Sequence, residues 1–165
     1  MKKNINFATA TAMGITADNR CEIKSVKPEN VFHFKEGIVG FEEHKDYVFL
    51  LNDTIKPFMF MQSLTDSNLS FVCVKTDLVC PDYEITLPKA NVQFLELEKP
   101  EDTLILSLVT VRPDVTDTTA NLMSPIVINM QKSLGQQIIL ERSPYPVRYK
   151  VWDAIERNAM MINAG

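Results

Sequence analysis

At 165 residues, 45% hydrophobic and 23% charged, the chain has the size and balance of one folded domain able to bury its own core. Its net charge of −4 excludes the basic footprint that direct nucleic-acid binding requires. Three cysteines, Cys21, Cys73 and Cys80, form an odd count without Cys-x-x-Cys spacing, which argues against a disulfide framework or structural zinc and for reduced thiols in a cytoplasmic protein.

In chain order, residues 1–20 are small, polar and rich in Ala and Thr, and read as a mobile arm or a loosely held extra strand. The run after Lys2 and Lys3 is interrupted by threonines and only weakly apolar, which excludes a secretory signal. No run is long enough to span a membrane. Residues 21–26 alternate and predict a first strand; Pro28 breaks it, and residues 31–34 predict a second.

That second strand runs into a glycine loop. Gly37 and Gly40 are two of the chain's five glycines, and a Gly-x-x-Gly turn between apolar runs fixes a special backbone shape. The bland reading is a corner between strands; the sharper one is a recognition loop on a β scaffold. Under the second reading, Glu36, Glu42 and Glu43 supply charge to a partner, and Ile38 and Phe41 supply apolar contact.

Beyond the loop, short apolar runs separated by turn residues predict strands over residues 47–51, 57–64 and 70–75. Pro81 and Pro88 bracket residues 83–87, which read as a short edge strand. Residues 89–97 predict a short helix of weak periodicity. Residues 103–111 carry apolar side chains on both faces and predict a central strand covered on both sides. Residues 116–121 read as loop. Residues 125–129 and 136–140 read as a hairpin with Gly135 at the turn. Val151, Ile155, Ala159 and Ile162 recur at helical spacing, so a terminal amphipathic helix is expected from about Arg148 to Met161. The predicted organisation is an arm over 1–20, a β domain over 21–147 and a helix over 148–165 packed on it. The fold class is mostly β, a small antiparallel barrel-like or sandwich domain with one short helix and a C-terminal helix.

No pattern asks for catalysis. His33 and His44 flank the glycine loop without a Cys or carboxylate at ligand spacing, so no metal site is assigned. Gly37-Ile38-Val39-Gly40 lacks the third glycine and following helix of a nucleotide-binding loop, and no Gly-x-Ser-x-Gly elbow occurs. No catalytic residue and no cofactor follow. The polar residues that stand out, Gln62, Asn121 and Asn129, sit at strand ends; such amides commonly hold free backbone groups, or, gathered at one rim with the glycine loop, frame a partner. Charge is uneven: residues 1–35 carry +3, residues 36–117 carry −9 and residues 118–165 carry +2. An acidic middle favours encounter with a basic partner.

Four stretches carry a resemblance. Phe34-Lys35-Glu36-Gly37-Ile38-Val39-Gly40-Phe41-Glu42, Pro57-Phe58-Met59-Phe60-Met61-Gln62-Ser63, Thr119-Ala120-Asn121-Leu122-Met123-Ser124-Pro125-Ile126-Val127-Ile128-Asn129 and Gln137-Ile138-Ile139-Leu140 resemble, in that order, the signature blocks of the bacterial flagellar assembly factor FliW family. The family's usual prolines are replaced by Lys35 and Val39, and its usual alanine by Ser124. The resemblance implies a non-enzymatic, cytoplasmic, barrel-like protein that binds flagellin and, alternatively, the basic RNA-binding repressor CsrA, relieving repression of flagellin translation. It implies no membrane and no direct nucleic-acid partner. The reading from another class is a small-molecule-binding barrel or a hydrolase with an unrecognised site.

Overall fold

Strands whose apolar side chains recur at every second position bury one face, and a closed sheet leaves no edge to protect. The computed structural model describes residues 28–163 and follows this logic. Strands β1 (Phe32–His33), β2 (Asp46–Leu51), β3 (Met59–Ser63), β4 (Ser70–Lys75), β5 (Thr103–Thr110), β7 (Ile126–Asn129) and β8 (Leu134–Gln137) run in the order β4-β3-β2-β1-β8-β7-β5. Pairing of Val72 with Val109 and Cys73 with Leu108 joins β4 to β5 and closes a seven-stranded barrel. Every contact in the ring is antiparallel except β1 with β8, a parallel seam at His33 and Leu134. Two short strands, β6 (Thr119–Ala120) and β9 (Tyr149–Lys150), extend the sheet from the end of β5.

Alternation decides which side chains face inward. Phe32, Phe34, Tyr47, Met59, Met61, Cys73, Leu106, Ile126 and Ile128 fill the interior as one buried cluster. The outward-facing apolar residues need separate covers. Helices α1 (Thr76–Val79) and α3 (Val151–Asn163) cover one patch: Val151 and Ala154 pack with Val74, Val79, Ala120 and Leu122. Asn158 Nδ2 donates to the Leu78 carbonyl (2.9 Å), and Trp152 packs edge-on against Phe58. Helix α2 (Lys89–Phe94) and the chain around Ile85 and Leu87 cover Val127 and Ile138.

Four expectations are corrected. Residues 83–87 alternate between half-buried and exposed but join no strand ladder. Gly135 is not at a turn: it pairs with Ile128 inside β8, and Ser133, with φ +54°, makes the turn. A Cβ at Gly135 would collide with the Cζ edge of the Phe34 ring, so close approach, not turn geometry, requires glycine there. Residues 116–121 contain β6, because Thr119 and Ala120 are held between β5 and β9. The terminal helix starts at Val151, since Tyr149 and Lys150 are engaged in β9. The predicted arm, the strand over 21–26 and Cys21 lie outside the described residues.

Candidate functional site

The glycine loop joins β1 to β2 at one mouth of the barrel. Its backbone is fixed by glycine in two ways. Gly37 has φ +72°, and a Cβ there would meet the Glu42 backbone at 2.7 Å. Gly40 has φ +84° but open space around it, so its requirement is conformational alone. The Phe41 N–H donates to the Ile38 carbonyl (2.7 Å), closing a four-residue turn that places Gly40 third, where turns of type II demand positive φ.

Local acids shape the loop. The Gly40 N–H donates to Glu42 Oε1 (2.7 Å), and this bond holds the Glu42 carboxyl below the usual carboxylate range. Glu36 Oε2 accepts from Gln136 Nε2 (3.0 Å), whose Oε1 accepts from Asn91 Nδ2 of α2 (3.0 Å). The Val39 N–H donates to Gln137 Oε1 (3.0 Å). Two consecutive glutamines of β8 thus tie the loop down where β1 has left the seam.

The loop spans the mouth from β8 to β4. Ile38, 1% exposed, plugs the interior against the core cluster. Phe41 reaches across to Phe71 of β4, edge-on at 5.2 Å between centroids. Beneath them Tyr47 packs against Phe34 and Phe71; its hydroxyl is buried with no hydrogen-bond partner among the described residues, and burial pushes the phenol up to about 12. Val39 (59% exposed), Phe41 (41%) and Ile139 (56%) face out. Glu36, Glu42 and Glu43 are also exposed. Val39 and Phe41 thus form an exposed apolar surface edged with carboxylates, on a loop held by backbone and side-chain hydrogen bonds.

The structure divides the predicted site residues. Glu36, Phe41, Glu42 and Glu43 share the exposed loop, with Gly37 and Gly40 shaping it. Ile38 has no surface to offer, because the turn directs it inward. Gln62 is buried and its Nε2 holds the carbonyls of Ser63, Asp66 and Leu69, fixing the β3–β4 turn. That turn borders the loop, since His44 Nδ1 and Thr65 Oγ1 lie 2.9 Å apart. Asn121 Oδ1 accepts from the N–H groups of Met123 and Ser124, shaping the turn before β7. Asn129 is buried at the opposite end of β7, where its Nδ2 donates to the carbonyls of Leu95 and Glu96. The three amides therefore serve the backbone, and Asn129 does not share a rim with the loop. Phe71 joins the loop's apolar surface only through folding, by its contact with Phe41, and no local sequence signal marks it.

His33 Nδ1 contacts Asp46 Oδ1 at 2.7 Å, so both histidines are engaged by neighbouring side chains. Among the described residues no group of three or more His, Cys, Asp or Glu side chains is placed to hold a metal ion, and no helix is long and apolar enough to cross a membrane.

A sequence model of the FliW protein family matches residues 16–151. The chain belongs to the FliW family. A flagellar assembly factor FliW of Desulfitobacterium hafniense (strain Y51) is 39% identical over 127 residues, covering 77% of this chain and 84% of that protein. One from Caldicellulosiruptor saccharolyticus is 36% identical over 133 residues, covering 81% and 87%. A crystal structure of the flagellar assembly factor FliW is similar in fold, with a TM-score of 0.73 and 34% identity over 77% of this chain and 89% of that one. The FliW match takes in the glycine loop and the strands β1 to β9, whereas α3 lies beyond it save for Val151.

Proposed function

We propose that the chain is a non-enzymatic, cytoplasmic partner-switching protein. It binds flagellin and, alternatively, a CsrA-type RNA-binding repressor, and binding of the repressor relieves repression of flagellin translation. The docking surface is the capped barrel mouth: Phe41 and Val39 as apolar anchors, with Glu36, Glu42 and Glu43 around them. The observation that carries this reading is the loop itself. It is pinned to β8 by Gln136 and Gln137, yet it leaves a large aromatic and an aliphatic side chain in solvent. Rigid, exposed aromatics are the usual anchors of protein interfaces, and preorganisation lowers the entropic cost of docking. The relatives' name, flagellar assembly factor, and the acidic middle of the chain both support such partners.

The test is to mix the purified protein with flagellin and with the repressor, separately and together. A complex with each, mutually exclusive when both are present, is expected. The repressor complex should weaken as salt is raised, because its encounter is driven by opposite charge. Failure to bind either protein would overturn the proposal.

A further inference from the structure

The connection between β4 and β5, residues 76–102, holds seven acidic and two basic residues, so this one crossover carries −5. In its middle, residues 83–88 have the sequence and the burial of a strand. Tyr83, Ile85 and Leu87 are half-buried, whereas Asp82, Glu84, Thr86 and Pro88 are exposed. Ile85 and Leu87 pack on the outer face of β7 and β8, against Val127 and Ile138. The segment is anchored at its start: the Glu84 N–H donates to the Tyr145 hydroxyl (2.9 Å), and Tyr83 donates from its hydroxyl to the Leu122 carbonyl (2.6 Å). It is anchored at its end by Pro88, whose carbonyl accepts from Asn91 and Val92 at the start of α2. Between these anchors no hydrogen bond joins the backbone of Ile85, Thr86 or Leu87 to any group among the described residues.

A held, alternating segment with unpaired amides is a template for strand addition. The backbone groups of Glu84 point to the side that Tyr145 occupies. In an extended chain those of Ile85 and Leu87 point to the other side. We propose that residues 85–87 form an open strand edge that receives an extended, lysine- or arginine-bearing segment of a basic protein partner. Main-chain bonds to Ile85 and Leu87 hold the incoming strand, and Asp82 and Glu84 face its basic side chains. This edge is separate from the loop surface and gives the repressor a second contact besides the mouth it shares with flagellin; its occupant rests on the reading that one partner is the basic repressor.

The test measures amide exchange residue by residue by NMR, with and without the repressor bound to the full chain. The expected result is an alternating pattern: exchange at Ile85 and Leu87 slows at least about tenfold, and Thr86 is unchanged. Equal protection of all three, or none at Ile85 and Leu87 in a formed complex, would overturn strand addition and leave the repressor as partner. If the unsubstituted chain forms no complex, the partner reading falls and this inference with it. As a second readout, the exposed double substitution Asp82→Lys, Glu84→Lys should weaken repressor binding about tenfold or more while flagellin binding and the melting temperature stay unchanged. Unchanged repressor affinity would contradict the assigned charge contact.

Discussion

Individual side chains around the loop show which constraints are chemical and which are steric. Gly37 and Gly40 look equivalent in the sequence, but a side chain at Gly37 would strike the Glu42 backbone and one at Gly40 would meet nothing. Gly37→Ala should therefore cost roughly 2–3 kcal/mol in a denaturant melt, from backbone strain and overpacking together. Gly40→Asn should cost under about 1 kcal/mol, since Asn visits the left-handed region with little penalty. Tyr47 presents the opposite case: its buried hydroxyl has no partner among the described residues. Tyr47→Phe should raise stability by about 1 kcal/mol, because it removes an unsatisfied polar group and keeps the ring contacts with Phe34 and Phe71. Glu42 supplies a pH signature. Its carboxyl is depressed in the fold, chiefly by the Gly40 N–H, so its contribution is present above its ordinary value of 4.5 and is lost as pH falls through the lower folded value. Glu42→Gln should flatten the fall in melting temperature across that acidic window; an unchanged slope would remove Glu42 from the account.

At the level of elements, strands with strong alternation or long apolar runs are legible in the sequence alone. Residues 47–51, 70–75 and 103–111 match β2, β4 and β5 within a residue or so. The features that are not legible depend on distant partners. Strands β6 and β9 are two residues long and exist only because they pair with each other and with the end of β5. Gly135 reads as a turn glycine because nothing nearby in the chain reveals the Phe34 ring packed against it from a hundred or so residues earlier. Residues 83–87 have strand chemistry without a ladder, which no local pattern can show. The amides are ambiguous for the same reason: a strand-end Asn suits a turn or a partner equally well. Asn129 joins β7 to the end of α2 through Leu95 and Glu96. Asn129→Ala should accordingly cost about 2 kcal/mol of stability, leaving the buried Leu95 carbonyl unsatisfied, and leave partner affinity unchanged once the protein is folded. A loss of affinity without a loss of stability would return Asn129 to the binding surface.

For the whole molecule, a closed barrel resolves the sheet's edges, and the proposed binding surfaces are one mouth and one flank. The mouth is capped by a loop that buries Ile38 and presents Phe41, while the acidic crossover lies over the outside of β7 and β8. The core is readable from alternation, and the loop from its glycines and its likeness to a known family. Which side chains of the loop face solvent is not, because Ile38 and Phe41 are separated only by the handedness of one turn. That separation is what the binding account rests on. The most direct measurement is a calorimetric titration of the Phe41→Ala protein with flagellin and with the repressor, alongside a thermal melt. Expected is a loss of more than about 1 kcal/mol in affinity for at least one partner with a near-parental melt, as suits a half-exposed anchor. Parental affinity for both partners in a normally folded protein would contradict it.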